Sequence, residues 1–297
     1  MPDAPQDWDC LLRPEKVVEL TPVAPDIALG GDGFCLHTAL QLAQLSHLVY
    51  VRDVNQRRQL ACDAGMVETA AFSKWELHWS RFEIDNETPD TPTVLCFRGS
   101  CDLRHWVLNV SALLADWPRG GKVHFGFQQA YRKLKQSLLN ELTERPTTTL
   151  ITTGHSLGAA LAQLAASDLD IPCCCVYTFG SPRPGNGDFR DALEAQSRVH
   201  RVVHGHDFVT QLPQHWKQLN QLAFVHPGQP VRISSDGTFD QSADVPLPTP
   251  EQMLLQSLAA IKSTPSLSRP VPALLDHAPA HYVRVLRECL HTQEKQR

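Results

Sequence analysis

The feature that most narrows the fold is a junction. The β-branched run TTTLITT (147–153) passes through Gly154-His155-Ser156-Leu157-Gly158 straight into AALAQLAA, a strong helix former. A strand that turns sharply into a helix holds the residue at the bend on a strained backbone. The positions beside it must be small, because larger side chains collide with the adjoining strand and helix. Gly154 and Gly158 meet that demand and leave Ser156 at the tip. A serine hydroxyl is a weak nucleophile that needs exposure and a base. The bend supplies exposure, and the helix aims backbone N–H groups at developing negative charge. A tight turn with a capping serine is the plainer reading of a bare Gly-x-Ser-x-Gly. The strand before it and the helix after it favour a nucleophile elbow.

The rest of the chain alternates in the same way. Strands are expected at 74–84, 93–97, 173–179 and 198–203, and helices at 36–50, 126–142, 156–168, 187–196 and about 280–292. This alternation predicts an α/β fold with a mostly parallel sheet covered on both faces. The chain is read as a single domain over 1–297. An irregular arm is expected at 1–30, where five prolines fall, and a Pro- and Ser-rich surface insertion at about 236–272. The middle of that insertion reads as a short helix, with Thr249 and Gln252 as its capping box.

Bulk properties exclude several classes. The chain has 297 residues, 42% apolar and 20% charged, with net charge −5 and no long basic run. Nucleic acid is therefore not expected as a partner. The first residues hold acids and prolines and no apolar core of a signal peptide, and no apolar stretch reaches the ~18 residues of a membrane-spanning helix. The expected location is cytoplasmic as synthesised, with export by a route that needs no signal peptide left open. The nine cysteines show no CxxC pair and are read as reduced structural thiols. Without HExxH or CxxC spacing, neither a metal nor an organic cofactor is expected.

An ester-cleaving serine needs an acid and a histidine further along the chain. Asp207 lies just past the strand RVHRVV, on a loop where such sites form. Its plainer role is to cap a turn. Asp188 and Asp191 sit beside a helix start at Asn186 and read as helix-terminal charges. Fourteen histidines leave the base open on residues alone.

VLCFRGS, VHFGF, GHSLGAALAQLAA, YTFGSPRPGN, RVVHGHDFVTQLP and DHAPAHYVRVL occur in one order between about residues 34 and 290. In these motifs the chain resembles the class 3 lipases, α/β-hydrolases related to filamentous-fungal triacylglycerol lipases. The resemblance implies an α/β-hydrolase fold with a helical lid, Ser156 as nucleophile and Asp207 as acid. It implies His277 as base, in an Asp-His pair followed by four residues and Tyr282. His281 is the rival, and its spacing does not fit. The oxyanion would be held by the N–H of Leu157, the residue after the nucleophile, and by Ser100, the hydroxyl residue after Arg98-Gly99.

In CDLRHWVLNVSALLADW (101–117), Leu103, Trp106, Val107, Val110, Leu113, Leu114 and Trp117 recur at helical spacing. An ordinary helix packed on the sheet is one reading. The resemblance places a lid here, over about 101–118. Pro118 and Gly120-Gly121 end the segment and read as a hinge. The expected activity is hydrolysis of lipid esters such as triacylglycerol, with a lipid or other ester as partner and transient contact with a lipid–water interface. A phospholipase A1, a soluble-ester or feruloyl-type esterase, an acyltransferase and a non-catalytic lipid-binding scaffold are the alternatives.

Overall fold

The computed structural model describes residues 9–18, 20, 33–84, 92–100, 113–213, 223–241 and 272–296. Its strands in chain order are β1 (Met66–Lys74), β2 (Leu77–Ile84), β3 (Thr93–Phe97), β4 (Leu114–Asp116), β5 (Lys122–His124), β6 (Leu150–His155), β7 (Cys173–Phe179), β8 (Arg198–His204), β9 (Gln229–Ile233) and β10 (Phe239–Asp240). The helices are α1 (Asp9–Leu12), α2 (Leu36–Leu48), α3 (Val54–Asp63), α4 (Phe125–Glu144), α5 (Leu157–Asp168), α6 (Gly187–Glu194), α7 (Pro272–Leu275) and α8 (Pro279–Gln296).

Alternate residues of β3 face two different cores. Val94 and Cys96 pack with Leu42, Leu45, Tyr282 and Leu286 of α2 and α8, whereas Leu95 and Phe97 pack with Leu134 and Leu138 of α4 and Leu161 of α5. A strand apolar on both faces must lie inside a sheet covered twice. Among the described residues, the main sheet has the order β1-β2-β3-β6-β7-β8-β9-β10. The strands β3, β6, β7, β8 and β9 run parallel. The β1–β2 hairpin adds antiparallel strands at one edge and β10 adds one at the other. This is the α/β-hydrolase architecture that the alternation and the resemblance imply. The parallel strands end together, with Phe97 of β3 beside Gly154 of β6 and Phe179 of β7 beside His155 of β6 and Val202 of β8. The loops at those ends carry the candidate site. Among the described residues, no helix is long and apolar enough to cross a membrane.

Several expectations differ from what is observed. The arm is not irregular throughout: it forms α1 and a 3-10 turn at Pro14–Val17. These are held because Cys10 and Leu11 pack on Ala278, and the Pro14 carbonyl meets His47 Nε2 at 2.9 Å. The start of the expected 236–272 insertion belongs to the sheet, since Phe239 and Asp240 pair with Ile233 and Arg232. Thr249 and Gln252 lie outside the described residues. The strand β1, the helix α3 and the strand β9 were not anticipated.

The expected lid helix also changes at its end. Leu103, Trp106, Val107 and Val110 lie outside the described residues. Leu114 is in β4, which pairs with β5, and Leu113 precedes it. Trp117 is buried: its ring packs on Tyr131 and Phe189, and its Nε1 donates to Ser167 Oγ at 3.1 Å. Gly120 and Gly121 are not at a hinge but in the tight turn between β4 and β5, closed by Trp117 N donating to Gly121 O at 3.0 Å. Their positive φ, 114° and 73°, suits glycine. Spacing of three and four is met here by a strand and a turn that bury the indole from beneath.

Candidate active site

The strand β6 ends at His155 and α5 begins at Leu157, so Ser156 alone makes the bend, with φ 58° and ψ −127°. A non-glycine residue with positive φ stores strain that the surroundings must hold in place. Here the Ser156 N–H donates to Phe179 O at 2.9 Å, which fixes the bend to β7. The two glycines are required by close approach. A Cβ on Gly154 would lie 2.5 Å from the Gly158 carbonyl, and one on Gly158 would collide with the Phe97 carbonyl. The Leu157 N–H opens the helix directly behind the serine.

Asp207 sits just beyond the end of β8 and is fully buried. Its Oδ1 accepts from Val209 N at 2.9 Å, so it does cap a turn, as the plainer reading held. The same carboxylate also faces His277, whose Nδ1 lies 2.8 Å from Oδ2 and 3.0 Å from Oδ1. His277 stands between α7 and α8. A carboxylate only accepts, so Nδ1 carries the proton and Nε2 presents its lone pair. His281 does not meet Asp207; its ring packs against His204, with centroids 6.2 Å apart. Gly180, after β7, lies where a Cβ would fall 3.0 Å from His277 Nδ1, so the loop that receives Ser156 N also presses on the His277 ring. Ser156 Oγ and His277 Nε2 are both buried, and neither has a hydrogen-bond partner among the described residues. Buried polar atoms left without partners are rare and mark sites where chemistry or a ligand will satisfy them.

Two further side chains hold this arrangement. Tyr282 Oη donates to Asp207 Oδ2 at 2.7 Å and accepts from His204 N at 3.2 Å. Burial, and then the charge of Asp207, hold the Tyr282 hydroxyl well above its ordinary pKa, so it stays a donor. His155 Nε2 lies 2.7 Å from the His277 carbonyl, and its Nδ1 lies 2.9 Å from Tyr50 Oη. Because a carbonyl cannot donate, Nε2 holds the proton and the Tyr50 hydroxyl donates to Nδ1. Burial, and then the neighbouring His277, push the His155 pKa well below its usual value, so the ring stays neutral.

Ser100 lines a cleft together with Tyr50, His155, His277 and Pro279, and with Leu11 and Pro14 of the arm. The chain thus brings Ser156, Asp207, His277, Ser100 and Leu157 to one end of the sheet. Tyr50, Leu11 and Pro14 were missed by sequence reasoning. Nothing near them in the chain signals a contact made about a hundred residues or more away.

A model of the class 3 lipase family, described as "Lipase (class 3)", matches residues 94–216. Over 158 residues the chain is 33% identical to secreted mono- and diacylglycerol lipase A of Penicillium cyclopium, which covers 49% of this chain and 49% of that protein. Over 129 residues it is 37% identical to secreted mono- and diacylglycerol lipase 1 of Fusarium solani, covering 40% of this chain and 39% of that one. Lipase II from Rhizopus niveus superposes with a TM-score of 0.56 at 26% identity, over 67% of this chain and 80% of that chain. The chain spans about half the length, or less, of the curated relatives it matches. The expected cytoplasmic location is overturned by these relatives, which are named as secreted lipases. The order of motifs, the sheet and these likenesses agree: over residues 94–216 the chain matches the class 3 lipase family, and its fold is the one it shares with the lipase from Rhizopus niveus.

Proposed function

We propose that this chain hydrolyses the carboxylic esters of lipids through an acyl-enzyme on Ser156. The observation that carries the reading is the state of His277. With Nδ1–H committed to the Asp207 carboxylate, Nε2 is a base with no partner among the described residues, in the same buried site as a serine hydroxyl that also has none among them.

His277 Nε2 takes the proton as Ser156 Oγ forms its bond to the ester carbonyl carbon. Asp207 orients the imidazole and stabilises its cationic form. The carbonyl oxygen becomes an oxyanion, met by the Leu157 N–H and the Ser100 hydroxyl. The carbon–oxygen bond to the alcohol breaks, and the leaving oxygen takes the proton from Nε2. Water then attacks the acyl carbon, gives its proton to Nε2, and the fatty acid leaves as Ser156 recovers its hydrogen. Every proton in both halves is moved by His277, and the net reaction is ester plus water to acid plus alcohol.

The test is turnover of p-nitrophenyl butyrate in solution and of an emulsified triglyceride, by wild type and by Ser156→Ala. Both substrates are expected to be cleaved by wild type, with the variant losing at least about a thousandfold in kcat. A phosphonate ester probe is expected to add one covalent adduct, found on Ser156 by peptide mass spectrometry. Turnover that survives Ser156→Ala, or an adduct elsewhere, removes the reading.

A further inference from the structure

Among the described residues, two non-glycine residues stand on a left-handed backbone: Ser156 and Trp75, the latter with φ 54°. Trp75 lies in the hairpin between β1 and β2, where Lys74 pairs with Leu77 and leaves Trp75 and Glu76 as a two-residue loop. Of these two positions only the first has positive φ. Glycine takes that place without strain, and a bulky side chain does not. The strain is not offset by burial, because Trp75 is 68% exposed. A strained residue whose side chain stays mostly in solvent points to a contact outside the chain.

Charge and position say what that contact is. Lys74 Nζ and, from α4, Lys133 Nζ each lie 4.9 Å from the Trp75 ring centre. The carboxylate of Glu76 is occupied by Arg52 at 2.8 Å. On a chain of net charge −5, this tip is an aromatic ring between two ammonium groups. It also stands at the edge of the sheet that bears the site. Trp79 of β2 lies opposite Phe97 of β3, and Arg98 Nη2 donates to Glu76 O at 3.0 Å. The hairpin tip is therefore level with Gly99-Ser100. Two more exposed apolar side chains, Leu113 at 60% and Phe125, the first residue of α4, at 47%, stand beside the β4–β5 ribbon. Phe125 N donates to Leu113 O at 2.8 Å.

We propose that Trp75, flanked by Lys74 and Lys133, is a docking point for an anionic phospholipid surface. It seats the end of the sheet that carries Ser100 and Ser156 against a lipid phase. Indole rings settle at the headgroup level of a bilayer, and lysines beside them are drawn to anionic lipids. The proposal rests on the lipid-ester reading above.

Co-sedimentation with vesicles tests it, using phosphatidylcholine alone and phosphatidylcholine mixed with phosphatidylglycerol. Wild type is expected to bind the mixed vesicles more tightly, and less so as salt rises. Lys74→Gln with Lys133→Gln together is expected to weaken that binding roughly twenty-five-fold, about fivefold for each lysine. Trp75→Gly is expected to bind at least about tenfold more weakly while its Tm rises, because glycine relieves the backbone. A purely structural tryptophan would not give both changes. Hydrolysis of soluble p-nitrophenyl butyrate is expected to be unchanged in all these variants. Equal binding to the two vesicle types, or Trp75→Gly binding as wild type does, overturns the proposal. So does self-association of wild type, without vesicles, that Trp75→Gly abolishes. If vesicle binding behaves as stated but wild type cleaves no ester, the catalytic reading fails and the docking point stands.

Discussion

Tyr282 donates its phenolic hydrogen to Asp207 Oδ2 at 2.7 Å, on the same carboxylate oxygen that His277 Nδ1 meets at 2.8 Å. The two contacts hold the carboxylate in one orientation, and the third donor, Val209 N, holds Oδ1. Tyr282→Phe removes one charge-assisted bond and keeps the ring in the core. The expected result is a kcat lower by about tenfold, from a bond of ~1.5 kcal/mol, with KM for p-nitrophenyl butyrate unchanged. An unchanged far-ultraviolet circular dichroism spectrum separates this from misfolding.

Leu11 and Pro14 line the same cleft as Ser100, His155 and His277. Leu11 packs on Ala278, beside His277. Leu11→Ala loosens this wall without touching a reacting group. The variant is expected to lose about 2–3 kcal/mol of stability, as a buried leucine does, yet to gain in kcat/KM for long-chain p-nitrophenyl esters relative to the acetate. A parallel loss for every chain length would show that the arm holds the site together and does not shut it.

His47 is buried, and its ring meets the Pro14 carbonyl at 2.9 Å. Burial lowers its pKa from 6.5 to about 4, and the carbonyl opposes this only in part. Between those two values the unfolded chain binds a proton that the folded chain does not, so stability is full above pH 6.5 and is lost as pH falls toward 4. The whole window amounts to about 3 kcal/mol, with about 2 kcal/mol gone by pH 5. His78, pushed down to about 2 by burial and then by Arg57 and Arg98, extends the loss to lower pH. Urea unfolding at pH 7 and pH 5 measures the difference. His47→Gln is expected to shrink that difference while lowering stability at pH 7.

Arg57 Nε and Glu68 Oε1 lie 2.7 Å apart with both side chains buried, and Arg57 also donates to Val51 O at 2.8 Å. Ser80 Oγ donates to the same Glu68 oxygen and meets His78 Nε2 at 2.8 Å. Removing one member leaves a buried charge without its counterpart. Arg57→Ala is expected to cost about 3–5 kcal/mol, whereas Arg57→Met with Glu68→Leu recovers most of it. A double variant as unstable as the single one would contradict this.

The parts of this molecule that the sequence made legible are those written locally. The switch from strand to helix happens within one residue, so the bend at Ser156 could be read from Gly154 and Gly158. Asp207 stood out because it follows a strand directly. His277 was not legible in this way: one histidine among fourteen carries no local mark, and only the resemblance singled it out. Leu114 and Trp117 were misread because their spacing is shared by a helix and by a strand followed by a turn. Trp117 chooses the second, where Tyr131, Ser167 and Phe189 enclose its ring. Tyr50, Leu11 and Pro14 reach the site only through the folding of distant segments, and spacing along the chain does not encode that.

His155 shows how such a distant contact bears on chemistry. It follows Gly154, so its place in the chain is set by the elbow, but its ring grips the His277 carbonyl at 2.7 Å while Tyr50 holds the other ring nitrogen. Both ring nitrogens are used, and the ring is neutral because burial and the adjacent His277 disfavour its charge. His155→Phe keeps the volume and leaves two buried groups, the His277 carbonyl and the Tyr50 hydroxyl, without this partner. Tyr50→Phe removes the outer bond and leaves the His277 carbonyl contact in place. The first is therefore expected to lower kcat by roughly tenfold to a hundredfold and to cost about 2–4 kcal/mol of stability, and the second to cost about 1 kcal/mol with kcat within about threefold of wild type. If the two variants lose kcat equally, the carbonyl contact is not what positions His277, and the Tyr50 hydroxyl is the group that matters.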